Sequence, residues 1–433
     1  MKFVDDATLL HNLKNVFNLK PKDLMEIIKY DTTLWGRYLW VSGGWLEYSK
    51  TKYGLLIWTF EQNGKPKIMP ENDMPVNNIE IEGADGSQTK LKRFPPEEGI
   101  RMLGARHALT MQQETELRYL KGKTTKFACA ISACPLQPHK SMICYKCIYI
   151  PSVTYPFATT SLSLKQCKDI QTILMSRLLP RLGYHQHFPH AVAFGPEKYG
   201  GIGLLSLAGE QAVAKITFVI KHLRAENEIG KTITTTIRWA QVMAGTKRQI
   251  LEDTRPIPHL EGTYISHLRE CMSHIHAQIR ITNEWNIPLQ RENDSYIMDH
   301  FMDCLHIDPE EVKTLNYCRL FLETTTLAEI TTTDGKRIRD DIFYPHRIPK
   351  KPRHALEKGS WPWQTRPDLN TWKIWQKSLI KTICNEYGVL HNPLGKWTII
   401  TQRWEGYYYK ENVYKKEGKW FKYQITNKSR SSY

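Results

Sequence analysis

The sequence predicts an α+β fold. Apolar residues recur at helical spacing in several segments before residue 334, and isoleucines alternate with acidic residues over 79–82, which is typical of a half-exposed strand. Seven of the 13 tryptophans lie in the last 73 residues, where Gly-containing turns indicate a small β module. Helices packed against small antiparallel sheets satisfy these observations.

Residues 1–108 are predicted to form a helix packed on antiparallel strands. The helix begins near Pro21, carries apolar residues at helical spacing, and ends at Gly43-Gly44. Residues 53–60 are predicted to be a buried strand that turns at Asn63-Gly64. This pattern fits any α+β domain, so it does not by itself identify a function.

Residues 109–333 are predicted to be helical. The first helix has an apolar stripe and basic side chains on its other faces. The stripe is Leu117, Leu120, Phe127 and Ile131, and the basic residues are Arg118, Lys121, Lys123 and Lys126. Ser163 and Gln166 form a capping box for a second helix, and a later helix is predicted over 265–279. The basic helix is either an ordinary surface helix or a nucleic-acid contact.

Residues 334–360 are predicted to be an exposed linker, because prolines and basic residues follow one another there. Its residues Lys350, Lys351 and Arg353 are candidates for nucleic-acid binding and also match a short nuclear import signal.

Residues 361–433 are predicted to be a basic module rich in tryptophan. Aromatic residues, Trp404 and Trp420 among them, are interleaved with lysines, a pattern that suits stacking on unpaired bases. The same aromatic residues suit the core of a small β module equally well. Both interpretations stay open at the level of sequence.

Composition favours a nucleic-acid partner. The formal net charge is +16, and residues 346–433 contain 18 Lys and Arg against 6 Asp and Glu. Charge alone does not distinguish RNA from DNA. Nine cysteines in 433 residues do not make a disulfide scaffold, and neither a signal peptide nor a membrane-length apolar run is present. We therefore expect an intracellular protein, nuclear or cytoplasmic, with no membrane partner.

Two adjacent carboxylates, Asp5 and Asp6, lie between short apolar runs, as expected for a tight β-hairpin with an acidic tip. Adjacent aspartates repel each other, so a pair at the end of two buried strands usually binds a divalent cation. A solvated Asp-Asp turn explains the same residues, because Asp is common in turns.

Four stretches, in this order, resemble reverse transcriptases of non-LTR (LINE-type) retrotransposons. Phe3 to Asp6 resembles the metal-binding palm motif, and Trp40 to Lys50 resembles the Gly-Gly turn and lysine strand that follow it. Arg101 to Ala105 resembles the Leu-Gly hairpin that grips the primer. Phe188 to Leu204 resembles the segment behind the thumb. By this resemblance, residues 1–108 are a partial palm and residues 109–333 are a helical thumb and post-thumb region.

The resemblance implies an RNA-directed DNA polymerase, which works by two-metal phosphoryl transfer. It implies that Asp5 and Asp6 bind Mg²⁺, that Lys50 approaches the incoming dNTP, and that Leu103-Gly104 positions the primer end. It also implies RNA or DNA as the partner of the basic helix.

The family pattern requires a further aspartate, on a strand well before the Asp-Asp pair, that bridges both metal ions. In this chain only Met1 to Val4 precede Asp5. We therefore expect a carboxy-terminal fragment that lacks the fingers and is inactive alone. The alternative is a non-enzymatic, basic nucleic-acid-binding protein in which Asp5-Asp6 is an idle turn.

Cys144 and Cys147, with Cys129, Cys134 and His139 nearby, have the residue types of a zinc site. Their spacing does not give two tight ligand couples, and the Cys144–Cys147 stretch is apolar. We therefore expect a helix with small buried cysteines here and do not favour zinc.

Overall fold

The computed structural model describes residues 21–48, 50–60, 66–70, 73, 78–83, 85–102, 104–260, 262–281, 286–344 and 366–398, together with the backbone of 413–416, 419–425 and 430–432. The fold mixes many helices with small sheets, so the predicted α+β class is confirmed at that level. The chain divides into two compact units. Unit 1 contains Met1–Gln62 and Pro66–Lys215, and unit 2 contains Asn63–Lys65 and Ile216–Tyr433.

Unit 1 begins with a helix packed on a small sheet. Helix α1 spans Pro21–Val41, and Gly43 follows it at φ +81°, a conformation that glycine adopts without strain. The strands are β1 (Lys52–Tyr53), β2 (Trp58–Phe60), β3 (Pro66–Ile68), β4 (Asn78–Glu82) and β5 (Gln88–Arg93). β5 pairs parallel with β1 and antiparallel with β4, and β2 pairs antiparallel with β3.

The core of this region confirms the alternation predicted at residues 79–82. Ile79 and Ile81 are buried, while Glu80 and Glu82 are exposed. The continuous strand predicted over 53–60 is wrong, because residues 54–57 join no sheet. A side chain at Gly54 would lie 2.3 Å from the Phe94 ring, so close packing rather than strand pairing holds the backbone there. The turn predicted at residues 63–64 lies outside the described residues.

The rest of unit 1 is a hairpin followed by helices. The hairpin consists of β6 (Ile100–Met102) and β7 (Ala105–His107). The helices are α2 (Glu114–Ala133), α3 (Pro138–Cys144), α4 (Ile150–Thr154), α5 (Leu164–Arg181), α6 (His190–Ala193) and the first part of α7 (Leu207–Ala225). A π-helical turn, Tyr145–Tyr149, joins α3 to α4, and 3₁₀ turns lie at Tyr155–Ala158 and Glu197–Tyr199.

Helices α2 and α5 lie side by side around one apolar core. The Lys121–Asp169 ion pair lies near their starts, and Arg181 donates a hydrogen bond to the Ser132 carbonyl near their ends. Because both contacts follow the same order along the chain, the two helices run parallel. The capping box predicted at Ser163 is confirmed, since its hydroxyl accepts from the Gln166 amide.

Unit 2 is mainly helical in its described part. Its helices are the end of α7, α8 (Glu228–Ala244), α9 (Tyr264–His274), α10 (Ile297–Met302), α11 (Pro309–Leu322), α12 (Leu327–Ile330), α13 (Asp340–Phe343) and α14 (Leu369–Thr382). One core lies around α8 and α9, and another lies where α14 packs on α10 and α11. Strands β8 (Val413–Lys416), β9 (Lys419–Ile425) and β10 (Arg430–Ser432) form an antiparallel sheet in the order β8-β9-β10.

Two expectations for unit 2 need correction. The helix predicted over 265–279 ends at His274, because Ile275 leaves helical geometry and His276 has φ +54°. The first part of the predicted linker is not exposed, since Ile338, Ile342 and Phe343 are buried in the α14 core. Apolar side chains therefore outweigh the polar composition of that segment. Residues 345–360 lie outside the described residues.

Candidate nucleic-acid interface

The structure describes only part of the site predicted from sequence. The residues outside it are Asp5, Asp6, Leu103, Lys350, Lys351, Arg353 and Trp404, and Trp420 lies in β9, where the backbone alone is described. Their predicted roles stay predictions. The described site residues are Lys50, Gly104 and the four basic residues of α2.

Lys50 lies in the turn between α1 and β1. Its side chain is exposed, and its backbone N–H donates to the Glu47 carbonyl at 3.1 Å. The sequence placed this lysine on a strand, but the strand begins two residues later, at Lys52. The exposed ammonium group is therefore carried by a hydrogen-bonded turn.

Gly104 lies at the tip of a two-stranded hairpin formed by β6 and β7. Arg101 faces Arg106 and Met102 faces Ala105 across β6 and β7. Gly104 has φ +95°, and a Cβ there would lie 3.1 Å from the Tyr155 ring. Both the backbone conformation and the close ring explain why the tip has a glycine.

The hairpin is fixed to the first turns of α2 by polar contacts. The Arg106 amide donates to Glu116 Oε2 at 2.7 Å, and the Gly99 amide donates to Thr115 Oγ1 at 3.2 Å. The Arg106 guanidinium also lies 3.4 Å from the centre of the Tyr119 ring, a cation–π contact. Since Thr115, Glu116 and Tyr119 all belong to α2, the hairpin and the basic helix form one local structure.

Glu116 is the buried centre of these contacts. Its side chain is 0% exposed, and Arg106 NH1 lies 3.9 Å from its Oε2. Burial raises the pKa of this carboxyl above its usual value, and the hydrogen bond and charge of Arg106 oppose that rise. Arg106 of the hairpin thus favours the ionised form of Glu116 against the effect of burial.

The four basic residues predicted on α2 fall into two pairs. Lys121 forms an ion pair with Asp169 of α5 at 3.5 Å, and Lys123 Nζ donates to the Ser152 carbonyl at 2.6 Å. Arg118 and Lys126 are exposed, and neither has an ion pair or hydrogen bond from its side chain within the described part of the chain.

The exposed pair on α2 has a geometry suited to a phosphate backbone. Arg118 and Lys126 are eight residues apart, which is about 12 Å along the helix axis. Gly122 lies between them, and nothing comes within 4 Å of the position its Cβ would take. The helix surface at Gly122, between the two cations, is therefore open, and a bulky polyanion can approach it.

Sequence reasoning missed one basic feature, on α14. Lys373, Lys377 and Lys381 are exposed along one side of this helix. Their i, i+4, i+8 spacing is visible in the sequence and was the signal for one helical face. The tryptophans Trp372 and Trp375 of the same helix are 1% and 0% exposed, so they belong to the core rather than to a base-stacking surface.

The four cysteines considered as zinc ligands are not the buried hydrophobes that the sequence indicated. Cys144 and Cys147 lie on the predicted helical stretch, but Cys144 is half-buried and Cys147 is exposed, as are Cys129 and Cys134. The described residues contain no group of three or more His, Cys, Asp or Glu side chains arranged to hold a metal ion. In the same part of the chain, no helix has both the length and the apolar character needed to cross a bilayer.

Comparisons with family models, with curated proteins and with solved structures find no match to this chain. The resemblance to reverse transcriptases therefore depends on the four motif stretches alone.

Proposed function

We propose that these 433 residues correspond to the carboxy-terminal part of a reverse transcriptase of the non-LTR, LINE type. In this proposal residues 1–108 are the end of the palm, α2 and the helices after it are the thumb region, and the basic tail contributes further nucleic-acid contacts. The order of the four motif stretches is the sequence argument for it.

The observation that carries the proposal is the attachment of the Leu-Gly hairpin to the basic helix. A hairpin that grips a primer end must keep a fixed distance from the surface that binds the duplex. The Arg106–Glu116 hydrogen bond and the Arg106–Tyr119 contact provide such a connection. Arg118, two residues after Glu116 and directly before Tyr119, then faces solvent near the hairpin's attachment point.

Polymerisation in the parent family requires Mg²⁺, which polarises the phosphoryl group and activates the primer hydroxyl. By the resemblance, Asp5 and Asp6 hold the metal ions and Lys50 approaches the triphosphate. In the family pattern, a carboxylate from another strand would complete the metal site. We propose that these 433 residues bind nucleic acid without extending a primer.

A primer-extension assay tests the polymerase part of the proposal. The chain is incubated with a primed RNA template, dNTPs and Mg²⁺, beside Asp5→Ala. We expect no incorporation by either protein, while both bind the primed template equally. Incorporation by the unaltered chain that disappears in Asp5→Ala would overturn the claim that the chain alone is inactive.

A second candidate function is nucleic-acid binding without catalysis. The side chains of Arg118 and Lys126 favour it, because they are exposed, have no ion pair or hydrogen bond within the described part of the chain, and need no metal site to bind phosphate.

The binding role of α2 is tested by the double variant Arg118→Ala/Lys126→Ala. The control, Lys90→Ala/Lys146→Ala, removes the same charge from lysines that already pair with Glu80 and Glu197. For single-stranded RNA, the slope of log K against log[salt] should become less steep by about 1.4 in the first variant only. Equal changes of this slope in the two variants would show that Arg118 and Lys126 contribute only through the net charge of the protein and not through a specific contact.

A further inference from the structure

Helix α14 presents a straight row of lysines. Lys373, Lys377 and Lys381 are all exposed and lie four residues apart, so the row spans about 12 Å with a step of about 6 Å. They are the only charged residues of the 14 that form α14. The helix therefore places three positive charges in line with no acidic residue among them.

The row has no compensating carboxylate in the described part of the chain. Lys373 and Lys377 make no ion pair or side-chain hydrogen bond there, and Lys381 makes a single 3.4 Å bond to the His306 carbonyl. The acidic residues nearest in sequence, Asp368 and Glu386, lie beyond the two ends of the helix. Asp368 is already used as the N-cap, where it accepts from the Thr371 amide.

The opposite face of α14 holds the row rigidly. Trp372, Trp375 and Leu379 are fully buried against α10 and α11. Like charges four residues apart disfavour a helix, so this packing keeps the lysines aligned against their mutual repulsion. A rigid row binds a regular polyanion without first losing backbone freedom.

We propose that the lysine row of α14 is a second nucleic-acid contact, which binds consecutive phosphates of an RNA or DNA strand. A membrane surface fits less well, because an interfacial helix must bury its apolar face in lipid and the apolar face of α14 is buried in protein. The row lies in unit 2, whereas α2 lies in unit 1. The inference rests on the nucleic-acid binding proposed above for the basic tail and assigns it to specific residues, and it needs neither the metal site nor the hairpin.

The test is the salt dependence of binding by the full chain and by Lys373→Ala/Lys377→Ala/Lys381→Ala. For a 30-nucleotide RNA, removing three phosphate contacts should make the slope of log K against log[salt] less steep by about 2. Between 50 and 200 mM salt, the unaltered chain should then lose about 20-fold more affinity than the variant. The same protocol with a 30-base-pair DNA duplex distinguishes the RNA source from the DNA source of phosphate.

A matched control removes the same charge elsewhere. Lys198→Ala/Lys231→Ala/Lys313→Ala takes away lysines that lie over the Tyr199 ring or pair with Glu228 and Glu310. This control should keep the slope of the unaltered chain, and so should Lys→Arg at the three α14 positions. An equal slope change in both alanine triples, or none in the α14 triple, would overturn the proposal.

Location is checked by lysine acetylation and mass spectrometry, with and without RNA. Lys373, Lys377 and Lys381 should be protected by RNA and exposed again at high salt, while Lys231 stays reactive. Equal reactivity with and without RNA would contradict the proposal, as would protection by phosphatidylserine vesicles and not by nucleic acid. Because Arg118→Ala/Lys126→Ala leaves these lysines intact, failure of the α2 site and failure of the α14 row are separate results.

Discussion

Helices α2 and α14 are both amphipathic and basic, but they use their charges differently. On α2, Lys121 pairs with Asp169 and Lys123 donates to a backbone carbonyl, so half of the basic residues predicted there help hold unit 1 together. On α14, all three lysines are exposed and none has a carboxylate partner among the described residues, and the one side-chain hydrogen bond there, from Lys381 to the His306 carbonyl, is long at 3.4 Å. The number of basic residues on a helix therefore does not measure the charge available to a ligand.

The buried faces of the two helices also differ, in how many polar side chains they contain. The α2 face contains polar side chains, Glu116 and Thr124, and Thr124 hydrogen-bonds to Tyr149 at 3.0 Å. The α14 face contains two tryptophans, a leucine and one small polar residue, Ser378. We infer that α14 is held chiefly by apolar burial, whereas α2 is held by apolar burial together with specific polar contacts, and the following predictions separate these two cases.

The largest effect is expected at Trp375, which is fully buried beside the Phe301 ring. Trp375→Ala should lower the stability of the α14 region by about 3–5 kcal/mol, because it removes a large core side chain and leaves a cavity. Native-state hydrogen exchange on peptides covering residues 366–384 measures this loss. Trp375→Phe is the control and should cost much less, since it keeps an aromatic ring and removes an indole N–H that has no acceptor among the described residues. A loss below 1 kcal/mol in Trp375→Ala would contradict apolar anchoring.

A second effect is expected at His259 of unit 2. Burial lowers its pKa to about 4, and its neutral ring donates Nε2–H to the Ala244 carbonyl at 2.8 Å. Between pH 6.5 and about 4 the unfolded chain binds a proton that the folded chain does not, so stability falls as pH falls. The loss should reach about 3 kcal/mol below pH 4.

The His259 prediction is measured by hydrogen exchange in unit 2 at several pH values, after correction for intrinsic exchange rates. His259→Gln should remove this pH dependence, because an amide keeps a donor and does not titrate in this range. An unchanged pH profile in the variant would assign the acid sensitivity to other groups.

A smaller effect of opposite sign is expected at Glu116 of unit 1. Burial raises its pKa above 4.5, so between pH 4.5 and that raised pKa the folded chain holds a proton that the unfolded chain releases, and stability falls as pH rises through this window. Glu116→Gln should flatten this dependence in peptides covering residues 100–133. The exposed Glu114 provides the control, since Glu114→Gln should leave the profile unchanged. If Glu116→Gln also leaves it unchanged, the buried carboxylate does not control the hairpin contact.

Local patterns predicted much of the fold. The ends of α1, the strand at residues 79–82 and the Ser163 capping box depend on neighbouring residues and were predicted correctly. The failures depend on distant contacts. The segment before residue 345 has a polar composition, yet Ile338 and Phe343 are buried against elements far away in the chain.

The candidate site shows the same limit. Spacing alone identified the four basic residues of α2. Only the folded structure shows that Lys121 pairs with Asp169 of α5 and that Lys123 donates to the Ser152 carbonyl, which leaves the other two available to a ligand. Arg106 and Glu116 were missed because their contact joins a strand to a helix. The lysine row of α14 was missed although its spacing was visible. The sequence does not show that the tryptophans of this helix are buried and that the lysines are left exposed on the other side.

The central claim is that exposed cations with no carboxylate partner among the described residues bind a phosphate backbone. It is tested most directly by the affinity of the full chain for single-stranded RNA at salt concentrations from 50 to 200 mM. Five contacts, two from α2 and three from α14, predict a slope of log K against log[salt] at least as steep as about −3.5, and contacts from the rest of the basic tail would steepen it further. A slope near zero, or no binding at 50 mM salt, would contradict the account.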